Sequence, residues 1–264
     1  MNFLRFEELT ALKIEKFVKE NRVIMLTFGS IEQHSTHLPV GTDYLCIYKR
    51  VEEIAKKTKA IIFSPLELGY SFNHMGMLGT VSLSAKLFID IVVCILKQLF
   101  SQGWKRFLIF SGHNGNWSAL KVAVQIAKEE FPNVQVVFAD THPRMSDEHR
   151  KTRFVRNFDY HAGLVETSIV SYYYKELIDR DNIPCTNSNI PIIINKLRER
   201  NKLDDIDMLL FSAFIPQHTV NLSNNGMWGI NDPHAYGEVQ VKDAMTFYID
   251  FYVELLMRWD ELVI

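Results

Sequence analysis

The chain has 264 residues, 47% apolar and 23% charged, which suffices for a sizeable core and is ordinary for a globular protein. With 29 basic and 31 acidic residues the formal charge is −2, which gives no electrostatic hold on nucleic acid or an anionic membrane and points to a small-molecule partner. Three scattered cysteines, Cys46, Cys94 and Cys185, form no disulfide framework or thiolate zinc motif and fit a reducing, cytoplasmic setting.

In chain order, the first element is a helix near 7–20, with apolar positions at helical spacing and no signal-peptide core. VIMLTF (23–28) is a short apolar strand ended by Gly29, and 44–58 is helical. AIIF (60–63) is a second strand, stopped by Ser64-Pro65. A helix at 85–102 leads to the strand RFLIF (106–110), and a helix at 117–130 leads to VQVVFA (134–139). The stretch 87–100, though apolar, is broken by Asp90 and Lys97 and is too short to span a membrane. Strands apolar on both faces and alternating with helices predict a mostly parallel sheet covered on both sides. The expected fold is a three-layer α/β/α sandwich, one domain over 1–264. In such sheets ligands bind beyond the carboxyl ends of the strands.

Chemistry-bearing residues recur at those ends. GSIEQHSTHLPVGTD (29–43) follows the first strand, SPLELGYSFNHMGMLGT (64–80) the second, SGHNGN (111–116) the third and DTHP (140–143) the fourth. Glu32 and His34, two apart, share one side of an extended segment, and Pro39 and Gly41 let the chain return with Asp43. Two carboxylates and an imidazole form a mixed O/N donor set suited to Zn²⁺, Mn²⁺ or Fe²⁺; the alternative is a solvated polar loop. His113 lies between glycines at a strand–helix junction. A tight turn explains Gly112, Gly115 and Asn116, which can cap the helix from Trp117, but not the imidazole. In DYHAGLVETS (159–168), His161 and Glu166 stand about 140° apart on a helix, so His161 is expected before the first turn and Glu166 within it. Glu166 is either drawn into the site or a helix-dipole carboxylate. His74 is expected to line the pocket, whereas His37, His142, His149, His218 and His234 are read as turn or surface residues.

GSIEQHSTHLPVGTD, GTVSL (79–83), SGHNGN, HAGLVETS and GMWGINDPHAYGE (226–238), in this order over residues 29 to 238, resemble the creatininase (creatinine amidohydrolase) family. The resemblance implies an enzyme with two divalent ions, Zn, Mn or Fe, on Glu32, His34, Asp43, His113 and Glu166, with Asp43 bridging. It implies His161 as the group that handles a proton near the scissile bond, with Glu166 beside it. The loop of Asn114, Gly115 and Asn116, together with His74 and Tyr160, is expected to meet the substrate. It also implies a closed homo-oligomer such as a hexamer. The expected reaction is hydrolysis of a C–N bond in a small cyclic amide or formamide. The alternatives are opening of a keto-sugar ring of the inosose type on the same site, and a catalytically silent oligomeric binding protein. Ser35 replaces the family's usual glycine. Relative to creatininase itself, Asn114 and Gly115 stand in place of a tyrosine and an acidic residue, and no tryptophan occurs among Asn157–Tyr160.

Overall fold

The computed structural model describes residues 3–139, 159–185, 219, 223–229 and 232–262. Five strands, β1 (Leu4–Arg5), β2 (Val23–Phe28), β3 (Ile61–Leu66), β4 (Arg106–Ser111) and β5 (Gln135–Phe138), form one parallel sheet in the order β1-β3-β2-β4-β5. Helices α1 (Ala11–Lys19), α2 (Thr42–Lys57), α3 (Ala85–Ser101) and α4 (Asn116–Glu130) connect them. A two-stranded ribbon, β6 (Asp159–His161) with β7 (Trp228–Gly229), precedes and follows α5 (Leu164–Tyr174); α6 (Glu238–Met257) lies near the end of the chain.

The strand pleat decides the layers. Ile24, Leu26 and Phe28 of β2 point to one face, with Phe107 and Ile109 of β4. They pack on Phe17 of α1, Phe88 and Val92 of α3, and Leu120 and Ala123 of α4. Val23 and Met25, with Leu108 and Phe110, point to the other face, against Ile47 and Val51 of α2 and Tyr248 and Tyr252 of α6. Each such side chain removed from water contributes about 1.5–3 kcal/mol. This is the expected three-layer sandwich. A third apolar cluster, with Leu38, Cys46, Ile169, Val170 and Met245, seats α5 against α2 and α6. No helix among the described residues is long and apolar enough to cross a membrane.

Three boundaries differ from the sequence reading. The first helix is shorter, because a 3₁₀ turn at Phe6–Glu8 and an extended Thr10 precede α1. β3 does not stop at Ser64-Pro65. Its pairing moves from Leu26↔Phe63 to Phe28↔Leu66, so a bulge carries the proline, which has no N–H for the ladder, and the strand resumes. Asn116 does not cap α4. It is the first helical residue, and its amide is committed elsewhere.

The topology sets the site. β2 and β4 are neighbours, but α2 leaves β2 on one face while α4 leaves β4 on the other. Their carboxyl ends therefore open a crevice at the point where the winding reverses.

Candidate metal centre

The loop after β2, the first turn of α2, the turn after β4 and the first turn of α5 converge at this crevice. Glu32, His34, Asp43 and His113 are all buried there. Asp43 lies in the first turn of α2 and Glu166 in that of α5, where the positive helix ends favour carboxylates. The close approach of the chains requires glycine: a β-carbon on Gly112 would fall 2.1 Å from the Asp43 carbonyl oxygen. Asn116 ties the strand ends together. Its Oδ1 accepts from the Tyr70 amide at 2.8 Å, and its Nδ2 donates to the Gly29 carbonyl at 2.8 Å and to Ser111 Oγ at 3.3 Å.

Three overlapping groups of donor atoms result: Glu32, His34 and His161; Glu32, Asp43 and His113; His34, Asp43 and Glu166. Within each group the atoms lie within 4.8 Å of one another. The imidazoles are oriented by backbone. His34 Nδ1–H donates to the Glu32 carbonyl at 3.1 Å, which turns Nε2 toward Asp43 Oδ1 at 3.4 Å and Glu166 Oε2 at 3.7 Å. His113 Nε2–H donates to the Tyr70 carbonyl at 3.1 Å, which turns Nδ1 toward Glu32 Oε2 at 3.1 Å and Asp43 Oδ2 at 3.2 Å. Anchoring one ring nitrogen on a carbonyl and presenting the other is how metal-ligating histidines are held.

Electrostatics points the same way. Burial opposes charge on His34, but Asp43 foremost, then Glu166 and Glu32, lift it to about 10. Burial likewise opposes charge on His113, and Glu32 and Asp43 raise it well above the ordinary value. Burial disfavours the Glu32 carboxylate, yet His113 and His74 hold it well below the usual range. The cluster calls for cations. Protons alone fit it poorly, because His34 Nε2 and Asp43 Oδ2 are buried without a hydrogen-bond partner among the described residues. Divalent ions on a carboxylate–imidazole donor set fit both observations.

Glu166 meets both sequence readings: its Oε2 accepts from the Ala162 amide near the start of α5 and also faces His34. His161 precedes the helix, as expected. Its Nε2–H donates to the Gln33 carbonyl at 2.8 Å and its Nδ1 faces Glu32 Oε1 at 3.7 Å; burial above all pushes its pKa well down. His74 is buried in the centre with Nε2 3.4 Å from Glu32 Oε1, and burial brings it down to about 4. Asn114 is exposed, Gly115 stands beside His113, and Tyr160 belongs to β6 next to His161. His37 is not a surface residue. It is buried, with Nε2 2.8 Å from Thr167 Oγ1, because α5 closes over its loop. His234 is exposed, whereas His142, His149, Asn157, Phe158 and His218 lie outside the described residues.

Two residues of the centre carry no signal that the sequence reading used. Gln33, between two candidate ligands, is buried and contacts both His74 and His161. Trp228, within a quoted motif, lies 5.6 Å from His74 and 6.2 Å from His161, ring to ring.

The creatininase family model, described as creatinine amidohydrolase, matches residues 7–255. The chain is similar to 3-dehydro-scyllo-inosose hydrolase of Thermotoga maritima, 29% identical over 109 residues, 41% of this chain and 35% of that one. It is similar to the mycofactocin precursor peptide peptidase of Mycolicibacterium smegmatis, 25% identical over 172 residues, 63% of this chain and 64% of the relative. It is also similar to creatinine amidohydrolase of Pseudomonas putida, 25% identical over 178 residues, 61% and 68% of the two chains. The matched stretch thus spans about a third of the first relative and about two thirds of the others. Two creatininase structures, one described as the manganese form and one as a zinc–zinc form of a variant, share the fold with TM-score 0.78 at 17% identity. They cover 98% of this chain and 99% of their own.

Proposed function

The chain belongs to the creatininase family, and from that premise we propose that it is a metal-dependent hydrolase that cleaves a C–N bond of a small cyclic amide or formamide. One observation carries the reading: buried carboxylates of Glu32 and Asp43, with Glu166, meet the oriented ring nitrogens of His34 and His113. Glu32, Asp43 and His113 would hold one divalent ion and His34, Asp43 and Glu166 a second, with Asp43 common to both. Zinc, manganese or iron bound there supplies Lewis acidity toward a carbonyl and a water that ionises near neutral pH.

The chain's own groups do the rest. The His161 lone pair on Nδ1 faces the cluster, so this ring can take the proton of the attacking water and pass it to the leaving nitrogen. The Gly112 and His113 amides are committed to the Phe28 carbonyl and Ser111 Oγ, which fixes the loop rather than the substrate. His161→Ala is expected to keep the fold and the metal while lowering kcat about 10²–10⁴-fold. Loss of metal in that variant would make His161 a ligand instead.

The test is metal analysis of purified protein, then an assay of metal-loaded protein against cyclic amides, formamides and keto-sugars. Metal-dependent release of an amine or formate supports the reading. Turnover of keto-sugars alone would favour the ring-opening alternative, to which the similarity to the inosose hydrolase speaks. Bound metal with no turnover of any class would favour a silent binding protein.

A further inference from the structure

Four imidazoles surround Glu32, and three of them are arranged alike. His34, His113 and His161 each have one ring nitrogen on a backbone carbonyl, that of Glu32, Tyr70 and Gln33 respectively, and turn the other inward. A carbonyl only accepts, so each of these rings donates outward, and its inward nitrogen is the one left to meet an ion in the cluster. His74 differs, and the difference traces to Gln33.

Two backbone groups fix which way the Gln33 amide points. The Ser35 N–H donates to Oε1 at 2.9 Å, and the Gly226 carbonyl accepts from Nε2 at 3.1 Å. Exchanging oxygen and nitrogen would set donor against donor and acceptor against acceptor. Held this way, Nε2 sits 3.0 Å from His74 Nδ1 as a donor, so Nδ1 is the acceptor and the His74 proton is on Nε2. The Thr219 hydroxyl, 3.0 Å from the same nitrogen, donates its proton to the Asn73 carbonyl at 2.9 Å and so leaves this lone pair to Gln33. The His74 Nε2–H then faces Glu32 Oε1 at 3.4 Å, while Oε2 accepts from Ser30 Oγ at 2.7 Å. Gly226 admits this arrangement: its φ is +82°, and a β-carbon there would fall 1.9 Å from Gln33 Oε1.

We infer that Gln33 is a positioning residue that locks His74 with its proton on Nε2, so that His74 holds the Glu32 carboxylate from outside the metal centre. His74 thereby acts as a hydrogen-bond donor to a ligand and not as a fourth imidazole ligand. The inference rests on the metal-centre reading of Glu32.

Chelator competition for Zn²⁺ on the full chain tests it. Gln33→Leu and His74→Ala are each expected to weaken Zn²⁺ binding about 10–100-fold, the usual effect of removing an outer partner of a ligand. His74→Gln, which keeps a donor, should recover most of that loss. The double variant Gln33→Leu/His74→Ala should bind no more weakly than His74→Ala, because Gln33 acts through His74. Gln33→Glu puts an acceptor against Nδ1, so it should move the ring proton in a ¹⁵N histidine spectrum while the fold is retained. Unchanged Zn²⁺ affinity in Gln33→Leu, additive losses in the double variant, or an unmoved ring proton in Gln33→Glu would each overturn it. Wild-type protein that binds no Zn²⁺ at all would instead defeat the metal-centre reading on which it stands.

Discussion

Asp43 sits where two ligand groups overlap, with Oδ1 toward His34 and Oδ2 toward His113. A carboxylate shared in this way neutralises both sites at once. Asp43→Ala is therefore expected to lose both ions after dialysis, measured by elemental analysis, whereas full occupancy would contradict its bridging role. His37 supports a second expectation at this scale. Burial, then the neighbouring His34, lowers it from 6.5 to about 4 in the folded chain. Between those values the unfolded chain binds the proton and the folded one does not, so stability falls as pH drops from above 6.5 toward 4. The loss reaches about 3 kcal/mol at most. In His37→Gln, where the amide can still donate to Thr167, urea unfolding at pH 7 and pH 5 should show a smaller acid loss than in wild type. Equal losses in the two proteins would rule His37 out as the cause. The ionisable members of the centre were legible because each follows a strand end or opens a helix. Gln33 and His37 were not. Among their partners, His161 and Gly226 for Gln33 and Thr167 for His37 are more than a hundred residues away, and no local pattern encodes such a contact.

At the scale of elements, β2 and β4 could be read from the sequence because both faces of each strand are buried, so the run is continuously apolar. β1 could not, since two half-buried residues on a sheet edge leave no periodicity. The extension of β3 beyond Pro65 was hidden for a related reason: a bulge depends on the partner strand, and proline alone signals a stop. The junction of elements that makes the centre is the turn from β4 into α4, pressed against the first turn of α2. Gly112 is the contact point. Its missing β-carbon is what lets the Asp43 backbone come close, and Gly112→Ala has only main chain to displace. The expected cost is about 1–3 kcal/mol, seen as a lower Tm, together with weakened metal binding as His113 and Asp43 move apart. A Tm and metal content equal to wild type would show that the two turns can separate freely.

At the scale of the molecule, the sheet and its two helical layers deliver the candidate ligands, whereas the periphery decides what can approach them. Relatives described as an inosose hydrolase, a precursor peptide peptidase and a creatinine amidohydrolase share the family with this chain, so the fold leaves the substrate open. The periphery argues against creatinine. Gly115 and Asn114 stand where the sequence resemblance leads one to expect an acidic residue and a tyrosine. The structure leaves little room for a side chain at the first of these: a β-carbon on Gly115 would lie 2.3 Å from His113 Nε2 and 2.8 Å from the Tyr70 carbonyl oxygen. An acidic group there would have to displace the hydrogen bond that orients His113. Aromatic stacking on a flat cationic ring is worth on the order of 1 kcal/mol or more in a dry pocket. Of the four tryptophans, Trp104 and Trp259 belong to the apolar cores, Trp117 packs on Phe138, and Trp228 is buried with its ring tilted against His74. Asn157–Tyr160 supplies none. Metal-loaded protein is therefore expected to turn over creatinine poorly, with kcat/KM below about 10⁴ M⁻¹s⁻¹, the low end for evolved enzymes, and to prefer another cyclic or formyl amide. Steady-state assay over a wide creatinine range decides the matter. Efficient turnover would mean that creatinine is held by groups other than those that Gly115, Asn114 and Asn157–Tyr160 have replaced.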